Sequence, residues 1–199
     1  FSARDRLGVK PFYYYWKDGK LEICSQIRPL LKNKKINEDA VSMFLDCMFI
    51  PSPYTIAEDI FKLPPGNFMI IDLNSKKLKI KEYWNLKEVK IKNISYEDAK
   101  KELHDLLIDA VKIRLQSDVP IGSFLSGGID SSLVSSIAAK ISKEPINTFS
   151  IGFENPKYDE SKIAEQFAEI IGSNHKTTIC NTEDIFKLIP KLVEVYDEP

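Results

Sequence analysis

Pro120-Ile-Gly-Ser-Phe-Leu-Ser-Gly-Gly-Ile-Asp-Ser-Ser-Leu-Val134 decides the fold, because an apolar run ends there in a glycine turn that opens an amphipathic helix. At a strand-to-helix turn the first amides of the helix have no internal partner and carry the positive end of its dipole, so they attract an anion. Gly127 and Gly128 remove the Cβ atoms that would keep phosphate oxygens from the backbone, and they permit positive φ. Ser126, Ser131 and Ser132 add hydroxyls. Asp130 is an acceptor among donors, able to cap the helix or to hold a Mg²⁺ that accompanies phosphates. An isolated Ser-Gly-Gly is an ordinary loop, but the residues from Ser126 to Ser132, set between a strand and a helix, point to a phosphate-binding turn. A Walker A loop is excluded because no Gly-Lys-Ser/Thr follows, and the GxGxxG fingerprint is absent.

Outward from this turn the pattern alternates. A long amphipathic helix over 95–117 precedes it, with Ser95 as N-cap and Glu97 and Asp98 in the first turn. After the strand at 119–125 come a helix over 131–142, an apolar run over 146–153, a helix over 159–172, a short run over 175–180 and a helix over 182–195. This order predicts an α/β fold, a parallel sheet with helices on both faces.

Nearer the start, Pro11 to Trp16 and Leu21 to Ser25 flank Asp18-Gly19, the signature of a hairpin. Asn37 is placed to cap a helix over 38–50. The proline-rich stretch from Pro51 to Pro65 reads as a connector, and a second hairpin is expected at 68–71 and 78–80. The division expected is residues 1–35, a connector over 36–94, and 95–199.

Composition narrows the class. Of 199 residues 43% are hydrophobic and 29% charged, a globular profile, and the net charge of −1 offers no field for nucleic acid. Apolar runs are far shorter than the roughly 20 residues that span a bilayer. Three scattered cysteines, Cys24, Cys47 and Cys180, form no disulfide framework or metal pattern; each reads as a small buried hydrophobe, and a cytoplasmic location is expected. His104 and His175 lack metal-ligand spacing. The two ends read as those of a piece cut from a longer protein.

Ser126-Gly-Gly-Ile-Asp-Ser-Ser132 resembles the PP-loop of the ATP pyrophosphatases, a motif shared by ammonia-using NAD synthetases, GMP synthetases and tRNA-modifying enzymes. The remaining motifs narrow the choice. The run from Arg4 to Tyr14, RDRLGVKPFYY, resembles the closing part of a class II glutaminase domain. Leu63-Pro-Pro-Gly66 followed by Tyr83-Trp84 resembles the connector of glutamine-hydrolysing asparagine synthetases. Phe149-Ser-Ile-Gly-Phe153, Tyr158-Asp-Glu-Ser161 and Tyr196-Asp-Glu-Pro199 fit that family in order.

The resemblance implies an incomplete PP-loop (HUP-like) sheet preceded by a hairpin remnant of an α+β glutaminase domain. It also implies ATP-dependent asparagine synthesis from aspartate and glutamine-derived ammonia through β-aspartyl-AMP, with ATP and Mg²⁺ as ligands and a homodimer as an assembly of the full protein. Carried over, Ser126, Gly127, Gly128, Ile129, Asp130, Ser131 and Ser132 hold pyrophosphate, and Asp130 holds the metal. Phe124, Leu125 and Ile151 border the adenine. Asp197 and Glu198 lie in a motif that the family places near ATP and aspartate, and Asp159 reads as either an N-cap or a catalytic carboxylate.

Departures from the family bear on the piece rather than on the motifs. Residue 1 is Phe where a glutaminase has its nucleophilic Cys, the second glycine-rich loop is missing, and Ser25-Gln26 stands where Ser-Glu is common. The implied remnant at 1–30 is expected to expose aromatic edge strands, and the piece alone is not expected to complete the reaction. Three alternatives remain: an amidotransferase acting on another carboxylate, an NAD or GMP synthetase, and an ATP-binding fragment without catalysis.

Overall fold

The computed structural model of the chain describes residues 1–196, so Asp197 and Glu198 lie outside the described residues. It divides into two units, Phe1–Ile91 with the chain from Ile189 on, and Lys92–Leu188.

The first unit contains β1 (Ser2–Ala3), β2 (Tyr13–Lys17), β3 (Lys20–Cys24), α1 (Glu38–Cys47), β4 (Ile60–Lys62), β5 (Asn67–Asp72) and β6 (Lys77–Glu82). Asp18 and Gly19 turn β2 into β3 with φ of 52° and 76°, the left-handed pair that suits a two-residue hairpin. Asn37 caps α1 by accepting from the Ala40 amide at 3.2 Å. The strands form two antiparallel sheets, in the orders β3-β2-β4 and β1-β5-β6.

Of the residues expected as a connector, 36–94, those from 36 to 91 are part of this unit: β4 emerges from the proline-rich stretch to pair with β2, and β5 pairs with β1. The same pairing overturns the expected aromatic exposure. Successive side chains of a strand point to opposite faces, and both faces of β2 are covered. Tyr13, 8% exposed, joins Ile27, Leu30, Ala57 and Ile60, while Tyr14, 7% exposed, joins Leu63 and Met69.

At the start of the chain the Arg4 guanidinium donates to the carbonyls of Lys10, Leu63 and Gly8 at 3.0, 2.7 and 3.0 Å. The Asp5 carboxylate accepts from the amides of Leu7, Val9 and Lys10, and these bonds, that of Lys10 first, hold it below the usual carboxylate range. Tyr83 and Trp84 donate their amides to the Gly66 carbonyl, which ties the second hairpin to the Leu63–Gly66 turn.

The second unit contains α2 (Tyr96–Arg114), β7 (Gly122–Phe124), α3 (Ile129–Ile141), β8 (Asn147–Phe153), α4 (Ser161–Ile171) and β9 (Asn174–Cys180); α5 (Thr182–Tyr196) starts in it, and its residues from Ile189 on are grouped with the first. Ser95 caps α2 through the Asp98 amide at 3.1 Å. The strands pair in parallel in the order β7-β8-β9. Both crossovers therefore advance in one direction, and right-handed connections lay α3 and α4 on the same face, where they touch each other. α2 packs beside α3 through Val111, Leu107 and Leu115 against Ile137 and Ala138.

Helices on both faces were expected; among the described residues the opposite face is open, with Phe124 80% and Ile151 57% exposed. Strand–helix alternation predicts a parallel sheet but carries no information about which way each crossover steps. The cysteines are also less buried than expected: Cys47 is exposed, and Cys24 and Cys180 are half-buried. Among the described residues no helix is long and apolar enough to cross a membrane.

Candidate functional site

β7 delivers the chain to the glycine turn. Leu125, buried against Ala164 and Ala168 of α4, donates its amide to the Phe149 carbonyl at 2.8 Å and so continues the pairing to the edge of the turn. Gly127 has φ of +78°, and a Cβ there would lie 3.0 Å from Ile163 Cγ2, so both backbone and space exclude a side chain.

The hydroxyls brace the turn internally. Ser131 Oγ accepts from the Ser126 amide at 3.2 Å, lies 3.0 Å from Ser126 Oγ and donates to the Gly128 carbonyl at 3.2 Å. α3 begins at Ile129 with Gly128 as its N-cap and no side-chain capping bond. Asp130 is thus not the cap; it is an exposed acid in the first turn, at the positive end of the helix. Ile129 is exposed as well. Ser132 Oγ is buried and has no partner among the described residues, which is uncommon for a hydroxyl.

A cleft of about 300 Å³ opens at the carboxyl ends of β7 and β8, where open α/β sheets bind ligands. Of the residues singled out from the sequence, Phe124, Leu125, Ser126, Ser131 and Ile151 line it, and Gly127, Gly128, Ile129, Asp130 and Ser132 do not. Phe149, Ser150, Phe153, Tyr158, Glu160 and Ser161 also line it and were not foreseen as binding residues. A signal was available for two of these: Phe149 and Phe153 are two residues either side of Ile151, on its face of the strand.

Beneath the sheet the buried side is polar. Thr148 Oγ1 lies 2.7 Å from Ser173 Oγ and 2.8 Å from His175 Nδ1, while His175 Nε2 is 3.1 Å from Ser150 Oγ. His175 is therefore a hydrogen-bonded structural residue, and His104 is exposed beside Asp105. Asp159 accepts from the amides of Ser161 and Phe153 at 3.1 and 3.3 Å, and its carboxyl is held below the usual range, by the Ser161 hydroxyl first. Among the described residues no group of three or more His, Cys, Asp or Glu could hold a metal ion.

The model of the asparagine synthase family matches residues 102–199, the stretch that carries this turn and cleft, and that of the glutamine amidotransferase domain matches residues 1–84. Residues 102–199 belong to the asparagine synthase family. The chain is 41% identical over its whole length to a Methanocaldococcus jannaschii protein provisionally named asparagine synthetase (glutamine-hydrolyzing) 2, and covers 40% of it. It is 31% identical over its whole length to asparagine synthetase (glutamine-hydrolyzing) 1 of Bacillus subtilis, covering 32% of it. Amidase chry2 of Gibberella zeae is 30% identical over 86% of the chain, which covers 28% of that protein. The chain thus spans 28–40% of the length of these relatives. Within the asparagine synthase match, the turn, the end of β8 and the start of α4 form the cleft; within the amidotransferase match, the Arg4–Lys10 loop and the Leu63–Gly66 turn are hydrogen-bonded to each other.

Proposed function

We propose that the protein to which these residues belong makes asparagine from aspartate, with glutamine as the ammonia source and ATP cleaved to AMP and pyrophosphate. The observation that carries the reading is the glycine turn at a strand-end cleft in a chain that also matches a glutamine amidotransferase domain. An oxygen of the aspartate side chain attacks the α phosphorus, the bond to the β-phosphate oxygen breaks, and β-aspartyl-AMP and pyrophosphate form. Ammonia then attacks the acyl carbon, AMP leaves with the bonding electrons, and the nitrogen loses a proton.

In this reading the amides from Ser126 to Asp130 and the hydroxyls of Ser131 and Ser132 hold the departing pyrophosphate, whose developing charge fixed donors stabilise. Ser132 fits the role, since its buried hydroxyl lacks a partner among the described residues. Asp130 is free to share a Mg²⁺ with the phosphates, an ion that usually takes one or two carboxylates and keeps several waters. That ion would neutralise charge on the pyrophosphate. Phe124, Leu125 and Ile151, with Phe149 and Phe153, offer the adenine an apolar wall. Asp197 and Glu198 are assigned to the ATP and aspartate side by family resemblance.

The test is ATP–pyrophosphate exchange by the full-length protein. Exchange that depends on aspartate is expected; AMP formation indifferent to aspartate would refute the acceptor. The similarity to amidase chry2 favours one second reading, an amidotransferase of this architecture acting on another carboxylate. A panel of carboxylates in the same exchange assay separates the two.

A further inference from the structure

Asp159 sits beside the cleft but does not line it, while its neighbours Tyr158 and Glu160 do. One oxygen, Oδ1, accepts from two amides that belong to different elements: Phe153, the last residue of β8, at 3.3 Å, and Ser161, the first of α4, at 3.1 Å. An N-cap needs only the second of these bonds, and the residue in the N-cap position of α4 is Glu160, which makes no side-chain capping bond. The bond to β8 has no helical purpose. It closes the loop between strand and helix on a single atom.

The surroundings are cleared for that atom. A Cβ on Gly152 would lie 3.0 Å from Asp159 Oδ1, 2.7 Å from Ile179 Cδ1 and 3.0 Å from Ser161 Cβ. Both amides that Asp159 holds belong to residues that line the cleft, Phe153 and Ser161. The turn of α4 that it anchors is also the surface against which the phosphate turn rests: the nearest atoms to a Cβ on Gly127 are those of Ile163, at 3.0 Å, and the Ala164 amide nitrogen, at 3.4 Å. Displacement of the first turn of α4 would therefore move the apolar wall and the glycine turn together.

We infer that Asp159 is a positioning residue for nucleotide binding, fixing the end of β8 and the first turn of α4 so that the wall at Phe153 and the turn at Gly127 keep a common geometry. The inference rests on the function proposed above. Bonds to an ionised acceptor are about twice as strong as neutral ones, and misplacement of binding groups by about 1 Å can cost on the order of a hundredfold in rate.

The experiment uses the full-length protein and the variants Asp159→Ala, Asp159→Asn and Asp159→Glu, with steady-state kinetics for ATP, glutamine hydrolysis as an independent readout, and titration calorimetry with ATP. Asp159→Ala is expected to raise KM for ATP by about tenfold while kcat changes by less than about threefold and glutamine hydrolysis is kept. Asp159→Asn retains an oxygen at the same place and is expected to stay within about threefold of the original KM; Asp159→Glu displaces that oxygen and is expected to behave like Asp159→Ala. An unchanged KM in a folded Asp159→Ala protein overturns the inference, and so does an Asn variant as impaired as the Glu variant, a comparison that holds even if the Ala variant does not fold. Should the unaltered protein bind ATP yet show no aspartate-dependent exchange, the proposed reaction fails while the Kd series still decides the role of Asp159. An unaltered protein that binds no ATP overturns both.

Discussion

β2 and β8 are each the middle strand of a three-stranded sheet, yet they use their two faces in opposite ways. In β2 the large side chains are the buried ones, Tyr13 on one face and Tyr14 on the other, each inside an apolar cluster. In β8 the buried positions are Thr148, Ser150 and Gly152, and the large apolar residues Phe149, Ile151 and Phe153 face the open side and the cleft. The first strand spends its apolar area on stability. The second keeps its apolar area accessible and holds its covered side with hydrogen bonds among hydroxyls and an imidazole, an arrangement suited to binding.

Four measurements would break or sharpen this contrast, the first three in the full-length protein. The largest change in stability is expected from Leu63→Ala, at a side chain with no exposed area in the cluster under Tyr14: about 2–5 kcal/mol, read by urea unfolding of the first unit. In the second unit Gly127→Ala would lower ATP-dependent activity by about a hundredfold, because the new methyl meets Ile163 at a positive φ, with glutamine hydrolysis kept. Loss of both activities would mean that the fold itself had failed. Ser132→Ala and Phe149→Ala come next: each should change the stability of the ligand-free protein by less than about 1 kcal/mol while weakening ATP binding, since one removes an unpartnered hydroxyl and the other a side chain that already faces solvent. A cost at Phe149 equal to that at Leu63 would erase the difference between the strands.

The smallest effect concerns acid. Asp5, Asp59 and Asp72 in the first unit and Asp159 in the second have carboxyls held below 3.8, by amide bonds first for Asp5 and Asp72, by Lys17 for Asp59 and by Ser161 for Asp159. A depressed folded value means that the stabilisation is fully present above the unfolded value and is lost as pH falls through the folded one. Hydrogen exchange followed by segment should therefore show protection falling only below pH 3.8, and more steeply in the first unit, though modestly, because Asp5, Asp59 and Asp72 are solvent-exposed and Asp159 is only half-buried.

Five of the eleven residues that line the cleft, Phe124, Leu125, Ser126, Ser131 and Ile151, were singled out from the sequence. Asp18-Gly19, the caps Asn37 and Ser95, and the run from Ser126 to Ser132 all act through near neighbours, and each stands where its local chemistry puts it. Of the two roles open to Asp130, the cap is excluded because the backbone bends at Gly128, which takes the N-cap position of α3. Phe149 and Phe153 could have been added by counting in twos from Ile151. Tyr158, Glu160 and Ser161 could not, because they reach the cleft only when α4 folds back beside β8.

Turn chemistry and periodicity, which depend on residues a few positions apart, were enough to establish the hairpins, the parallel strand–helix alternation and the glycine turn that opens α3. Tertiary structure alone decided that the proline-rich stretch supplies β4, that both crossovers step the same way and, among the described residues, leave one sheet face open, and that Asp159 joins β8 to α4. Those outcomes depend on contacts between residues distant in the chain, whose free energies no local pattern encodes.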